Sequence, residues 1–294
     1  MAFILSCCST SDLDKDYFSK RNIKYICLRY FIDGKAYQDD LGESISRKDF
    51  YNLMRNGADT KTSQINPDEF IKYFSEFLDQ GLDILHVSLS SGISGVFNSA
   101  NIAKDKLKSI YPDRKILIID SLNASSGYGL LVDKLADMRD ENKNIDEIYD
   151  WAEKNKLKLN SWFFTSDLSF FIKGGRISKV SGWFGTVFKI CPLLNVDFKG
   201  KLAPRFKVRG KQEVIKKALE QMKLCAENNL EYSKKCFISH SDCYEDAKNL
   251  ANMIEKQFLN LPEPVKIFDI GTVIGSHTGP GTVALFFWGK VRND

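Results

Sequence analysis

The sequence has no pair of cysteines at C-x-x-C spacing. Its seven cysteines, at positions 7, 8, 27, 191, 225, 236 and 243, are odd in number. This argues against a disulfide framework and a cysteine-built metal site, and fits a reducing cytoplasm. No stretch approaches the roughly 20 apolar residues of a membrane helix. Leu5-Ser6-Cys7 faintly resembles a lipoprotein cleavage site. No Lys or Arg precedes it, however, and the apolar run is too short for a signal segment, so it reads as the first strand. An excess of one charge is lacking too. Lys plus Arg is 42 against 38 for Asp plus Glu, a net charge of +4, with no run of five or six like charges. Mixed charge of this kind describes a solvated surface and argues against nucleic acid as a partner. There is no Walker motif, no G-x-G-x-x-G and no G-x-S-x-G elbow, so no motif marks a nucleophile–base–acid set, and Ser94 with His277 stays open as a pairing. Solenoid repeats and low-complexity segments are absent.

What is present is an ordinary soluble composition, 43% hydrophobic and 27% charged over 294 residues. That is enough chain for one large domain or two ordinary ones. The stretch that stands out runs from Ser88 to Ala100. It follows the compact apolar run Ile84-Leu-His-Val87 and opens a segment with Val96, Ala100, Ala103, Leu107 and Ile110 at helical spacing. A strand, a hydroxyl- and glycine-rich loop and a helix start gather backbone N–H groups and the positive end of a helix dipole. Ser90, Ser91, Ser94, Asn98 and Ser99 can donate hydrogen bonds, and Gly92 and Gly95 let a ligand approach the backbone. The stretch suits a carboxylate or a phosphate. An ordinary βα loop with a serine N-cap has the same features, and this stretch alone leaves both readings open.

The remaining pattern sets the fold class. Phe3 to Ser6, Ile84 to Val87 and Lys115 to Ile119 are apolar strands, and Ile23 to Ile32 is β-rich with a turn at Asp33-Gly34. Helices are expected around Leu13 to Phe18, from Ser46 to Met54, from Pro67 to Leu78, from Tyr128 to Met138 and from Ile145 to Ala152. Asn66, Pro67 and Glu69 form a strong helix start, and Thr60 to Pro67 ahead of it reads as a polar loop. Continuous apolar strands alternating with helices indicate a parallel sheet covered on both faces. The second half is different. It reads as a strand at Asn160–Ser166, a basic glycine loop at Lys173–Ile177, a helix around Trp183–Phe188 and a hairpin over 191–208. A long helix from Val214 to Cys225 follows, then strands at 235–240 and 265–270, a helix at 247–258, a glycine-rich loop from Gly275 to Gly281, and a last strand at 283–288. The expected fold is α/β with two domains. Residues 1–157 form an N-terminal parallel-sheet, Rossmann-like α/β domain. Residues 158–294 form a C-terminal α+β domain with a mixed or antiparallel sheet.

Three histidines are available. His86, inside an apolar strand, reads as a hydrogen-bonded core residue. His240, at a strand end, reads as a cap or loop residue. His277, among Thr278, Gly279 and Gly281, can be held with one nitrogen free for a ligand. Arg176 can pair with an anion or equally with a carboxylate at the domain interface.

Six motifs in order then stand out: Ser9-Thr-Ser-Asp12-Leu13, Thr62-Ser-Gln-Ile-Asn-Pro67, Ser90-Ser-Gly-Ile-Ser-Gly95 with Asn98-Ser-Ala100, Asp120-Ser121, Gly174-Gly-Arg176-Ile177 and His277-Thr-Gly-Pro-Gly281. In this order, and over essentially the whole chain, the sequence resembles the DegV family, to which the bacterial FakB fatty-acid-binding proteins belong. The resemblance implies a carrier without catalysis of its own and without a cofactor or metal. Such a carrier binds one long-chain fatty acid between its domains and presents the carboxylate to a separate fatty acid kinase, for phospholipid synthesis. It also implies a cytoplasmic location, with transient contact at a membrane surface. The family's carboxylate site falls here on Thr62, Ser94 and His277, with Ser63, Ser121, Arg176, Gly95 and Thr278 as further ligand contacts. Two positions depart from the family pattern: Cys8 replaces an Asp, and Val96 a common Thr. A fatty acid needs an anion site and a long apolar slot. The aromatics Phe163, Phe164, Phe170, Phe171, Trp183, Phe184 and Phe188 are candidates for core or slot. The rival expectation is an enzyme acting on a small phosphorylated or carboxylated substrate, with Ser94 or His277 catalytic.

Overall fold

The structure, a computed structural model, describes residues 2–177 and 190–293. Trp183, Phe184 and Phe188, with the helix expected around them, lie outside the described residues. In chain order the first half runs β1 (Phe3–Cys8), α1 (Lys15–Lys20), β2 (Lys24–Ile26), β3 (Arg29–Ile32), β4 (Lys35–Gln38), α2 (Arg47–Arg55), β5 (Thr60–Ser63), α3 (Pro67–Leu78), β6 (Asp83–Ser88), α4 (Val96–Lys108), β7 (Ile116–Asp120), α5 (Ser126–Asp140) and α6 (Ile145–Asn155). The second half runs β8 (Leu159–Phe164), α7 (Ser169–Lys173), β9 (Ile190–Val196), β10 (Leu202–Arg209), α8 (Lys211–Cys225), β11 (Phe237–His240), α9 (Tyr244–Gln257), β12 (Lys266–Asp269), α10 (Thr272–Thr278) and β13 (Val283–Trp288).

The first half builds a four-stranded parallel sheet in the order β2-β1-β6-β7. All six residues of β6 are buried, as a parallel strand covered on both faces requires. The second half builds a six-stranded sheet in the order β10-β9-β8-β13-β11-β12, antiparallel except for the β11–β12 pair. The mixed α/β class expected from the sequence is therefore the observed one.

Two local expectations change, and one is filled in. The β-rich stretch from Ile23 to Ile32 holds two strands, β2 and β3. Its second part, β3, pairs antiparallel with β4 and β5 in a separate three-stranded sheet. Thr60 to Ser63 belongs to that sheet as β5 and is not a loop. The glycine-rich segment before Gly279 is the short helix α10, with Gly271 as N-cap and Gly279 as C-cap. Helix starts fare better. Asn66 and Glu69 form a complete capping box on α3, and Ser46 accepts from the Asp49 N–H at 3.1 Å on α2. Helix α4 is capped by Gly95 without a side-chain bond, so no serine serves as its N-cap.

Helix α5 joins the two large sheets. It packs against β1 of one and against β8, β11 and β13 of the other. Eleven of its fifteen residues are buried, an all-round burial that a surface helix does not show. Two glycines allow the close approach. A Cβ at Gly127 would lie 2.3 Å from Asn123 Oδ1 and 2.7 Å from the Phe286 ring, and one at Gly129 would lie 2.7 Å from the Ser11 carbonyl. His86 is a core residue as expected. Its Nδ1 is 3.0 Å from Ser6 Oγ, its ring meets Phe70 and Phe74 edge-on, and burial pushes its pKa down to about 3. His240 caps its strand end, with Nδ1 accepting from the Cys243 N–H at 3.4 Å.

The turn between β9 and β10 docks on the loop after β6. Ser90 Oγ donates to the Gly200 carbonyl at 2.8 Å. A Cβ at Gly92 would lie 2.5 Å from the Lys199 carbonyl oxygen and 2.7 Å from the Gly200 carbonyl. These obstructions are backbone and cannot rotate away. Gly92→Ala is therefore expected to destabilise the protein by about 1–3 kcal/mol, the usual cost of overpacking, seen as a lower denaturation midpoint. A variant as stable as the parent would show that the turn is not seated there.

Candidate ligand-binding site

A cavity of about 420 Å³ opens between the two halves. The first half lines it with residues of β5 and of the loops after β6 and β7, together with Leu28. The second half contributes residues of β8, β9, β13, α7 and α10. Most of the wall is apolar, including Leu89, Ile93, Phe163, Phe171, Val273 and Phe286. The polar groups on it include Thr62, Ser63, Ser94, Arg176, His277 and Thr278.

Thr62 is held by the small sheet, opposite Tyr30 of β3. Its Oγ1 lies 2.7 Å from Nε2 of His277. His277 is in the last turn of α10, so a helix presents the ring and not the glycine loop expected from the sequence. Burial, with the charge of Arg176 adding to it, pushes the His277 pKa down to about 4. The ring is therefore neutral at pH 7. Its Nδ1 is buried, has no hydrogen-bond partner among the described residues and faces Gly174, where a Cβ would come within 2.4 Å. An orphaned N–H costs more than an unpaired lone pair. The proton is accordingly assigned to Nε2, which donates to Thr62 Oγ1 and leaves the threonine hydroxyl hydrogen free for a ligand oxygen.

Ser94 lies in the loop between β6 and α4. Its Oγ accepts from the Val96 N–H at 3.3 Å, and its own hydrogen has no acceptor among the described residues. Asp120 braces that loop: its Oδ1 accepts from the N–H groups of Ser91 at 3.1 Å and Leu122 at 3.0 Å. Gly95 packs on Gln64, with a Cβ position 2.4 Å from Oε1, so the helix start approaches the cavity without a side chain in the way. Arg176 donates to the carbonyl of Gly174, and among the described residues no carboxylate pairs with it. Burial lowers its pKa. Ser121 is not brought to the cavity. It closes its own turn, donating to the Asn123 carbonyl and accepting from the Asn123 N–H, both at 3.2 Å. Cys8 is buried beside His86 with Sγ 3.7 Å from Nε2.

The sequence did not single out Gln64, Ser125 or Thr282, which also line the cavity. Ser125 carries the left-handed φ of 55° with ψ −152°, a region almost reserved for glycine. Its hydroxyl bonds Asp12 and Ser239. No residue pattern in the sequence marks it.

A family model described as an uncharacterised protein of the DegV family matches residues 8–290. The chain belongs to the DegV family. A DegV domain-containing protein of Clostridium perfringens is 39% identical over 293 residues, covering 99% of this chain and 98% of the relative. A Thermotoga maritima protein whose structure revealed a fatty-acid-binding function superposes with a TM-score of 0.85 at 26% identity, over 99% of this chain and all of that one. The fold is also that of the Streptococcus pneumoniae fatty acid kinase B3 protein loaded with linoleic acid. That match has a TM-score of 0.83 at 20% identity, over 99% of this chain and all of that one. Among the described residues of this DegV protein, no group of three His, Cys, Asp or Glu side chains could hold a metal ion. No helix among them is long and apolar enough to cross a membrane.

The His277 assignment is open to measurement. In the ligand-free protein its ring should titrate near pH 4, and at pH 7 its ¹⁵N shifts should report the Nε2–H tautomer. The folded pKa lies below the ordinary 6.5, so the unfolded chain binds this proton more tightly. His277 therefore lowers stability as pH falls from about 6.5 toward 4, and the loss levels off below that. A midpoint near 6.5, or an Nδ1–H tautomer, would refute the assignment.

Proposed function

We propose that this DegV protein binds one long-chain fatty acid in the cavity, with the carboxylate at Thr62 and Ser94, His277 behind Thr62, and Arg176 supplying positive charge. The acyl chain lies along the apolar wall, and the carboxylate is presented to a separate fatty acid kinase. The observation that carries this reading is that, among the described residues, two hydroxyl hydrogens without a protein acceptor and a guanidinium without a carboxylate lie on one mostly apolar cavity. Hydroxyls suit a carboxylate that must stay accessible, because a bidentate arginine would hold and cover it. Ser63, Gly95 and Thr278 are further contacts in this reading. Fatty acid binding by the Thermotoga relative adds support.

The enzymatic alternative finds less support. Among the described residues Ser94 Oγ bonds a backbone N–H and no base, and the His277 Nε2 is engaged with Thr62 while Nδ1 is covered. A nucleophile with its base within hydrogen-bond reach is the minimum for that chemistry.

Native mass spectrometry of protein from a bacterial host should show a retained fatty-acid adduct. Ser94→Ala should weaken fatty acid binding by about 1.5–3 kcal/mol, roughly 10- to 150-fold, the scale of one hydrogen bond to a charged group. Ala284→Trp, on β13 in the cavity wall, should abolish the adduct through volume alone and leave the head-group residues in place. An adduct undiminished in both variants would remove the fatty acid from this cavity. The kinase step is checked separately by adding a fatty acid kinase and ATP to the loaded protein. If no acyl phosphate forms while binding is intact, the presentation role is wrong and the binding role stands.

A further inference from the structure

We infer that Asp39 is a positioning residue for the head-group histidine, with Asp12 as its neutral partner, because together they fix the first turn of α10 and so set where His277 meets Thr62. The inference takes the cavity as the fatty acid site proposed above.

Helix α10 lies between β12 and β13 of the second half, yet groups of the first half hold its first turn. Asp39 Oδ1 accepts from the Thr272 N–H at 3.3 Å and the Thr272 hydroxyl at 2.8 Å, and Oδ2 accepts from Ser9 Oγ at 2.9 Å. Ser9 Oγ also accepts from the Leu28 N–H at 3.2 Å, so its hydrogen is directed to Asp39. Every partner of Asp39 is a donor, which is the environment of an ionised carboxylate. Asp12 is different. Its Oδ1 accepts from the Gly271 N–H at 3.0 Å, and its Oδ2 meets the Ser125 hydroxyl. That hydroxyl continues a chain to Ser239 at 3.0 Å and from there to Ser126 at 2.6 Å. Hydroxyls can reverse direction, so Asp12 can donate from Oδ2 and remain satisfied as the acid. Both carboxyls are buried, and neighbouring carboxylates do not both ionise cheaply in such a place. Burial pushes both carboxyls up, Asp12 to about 8 with Asp39 adding to it, while the donors from Thr272 and Ser9 and the charge of Arg47 draw Asp39 back down.

The helix transmits this hold. Tyr51 donates to the Ile270 carbonyl at 2.8 Å just before α10, and Gly275 sits against the same Tyr51 oxygen, where a Cβ would be 2.5 Å away. Ser276 Oγ donates to the Thr272 carbonyl at 2.8 Å and Gly279 N–H to the Gly275 carbonyl at 2.8 Å. From Thr272 to His277 the segment is one short rigid piece. A shift of its first turn moves the ring relative to β5, which belongs to the other half.

The test is read on the ring of the ligand-free protein, so it does not depend on what the cavity holds. Arg176 is the charged group that lowers the ring's pKa and is left intact in every variant. In Asp39→Asn the His277 midpoint should rise from about 4 toward the ordinary 6.5, and its Nε2 signal should lose the Thr62 bond. Asp12→Asn keeps an acceptor for Gly271 and a donor for Ser125, so it should leave both readouts unchanged. Arg55→Ala cuts the Arg55–Asp242 ion pair between the halves and serves as a control for a weakened interface. It too should leave the ring unchanged. If Asp39→Asn does not fold, Thr272→Val removes one donor and should give a smaller shift in the same direction. An unmoved ring in a folded Asp39→Asn or Thr272→Val protein overturns the inference, and an equal shift in Asp12→Asn overturns the charge assignment. Palmitate affinity should fall about tenfold or more in Asp39→Asn. Weaker palmitate binding with an unmoved ring would overturn the positioning role. A moved ring in a protein that binds no palmitate would uphold the inference and count against the fatty acid reading.

Discussion

The structure depends on the burial of α5 between two sheets of different kinds. A helix enclosed on all sides fixes the separation of the layers it divides. Here it sets the β1 end of the parallel sheet against β8, β11 and β13 of the mixed one. Gly127 and Gly129 make the spacing tight, because any side chain there would meet Phe286 or the Ser11 backbone. Burying each large apolar side chain of α5, such as Leu130, Leu131 or Leu135, contributes on the order of 1.5–3 kcal/mol. The cavity opens beyond the N-terminal end of this helix, where Ala124 and Ser125 reach its wall. The strained backbone of Ser125 marks the point where packing stops and the cavity begins.

Around that cavity the contact between the halves is carried by paired polar groups. Ser90 bonds the hairpin turn at Gly200, Ser125 bonds Ser239, Tyr51 bonds the carbonyl of Ile270, and two buried carboxyls accept from the start of α10. Buried polar groups of this kind specify one arrangement, since each misplacement leaves a donor or acceptor unpaired. Apolar surfaces alone would tolerate sliding. A site assembled from both halves, with Thr62 from one and His277 from the other, needs that register.

The parts of this design that rest on local chemistry were legible. The capping box at Asn66 and Glu69 is complete within four residues, and the buried strand β6 is a continuous apolar run. His86 reads as core because its neighbours in sequence are core. Tertiary contacts override local signals elsewhere. Thr60 to Ser63 is four short polar residues that become a strand only because β3 lies beside them. Helix α10 contains Gly275 and β-branched or hydroxyl residues of weak helix propensity, and it forms where Asp39 and Tyr51 hold it. At the site, Thr62, Ser94, Arg176 and His277 could be read from ordered motifs, and the structure gathers them on one cavity. Ser121 has the same hydroxyl but is turned inward to its own loop. Asp39 and Ser125 sit in no motif, since their partners are between 30 and 233 residues away.

The division of labour within the proposed complex follows from magnitudes. A long-chain fatty acid carries roughly 15 methylenes, each worth about 0.8 kcal/mol when buried. A hydrogen bond to its carboxylate is worth about 1.5–3 kcal/mol. Affinity therefore resides mainly in the apolar wall, and the hydroxyls govern where the carboxylate points. A neutral imidazole behind Thr62 fits that task, because it orients a donor without adding a charge that would hold the anion fast. Arg176, half-buried and bonded to a backbone carbonyl, would in this proposal balance the negative charge without enclosing it. An anion oriented by weak donors and retained by its tail can surrender its head group to a second protein while the chain stays bound, which an arginine-clamped carboxylate could not do as readily.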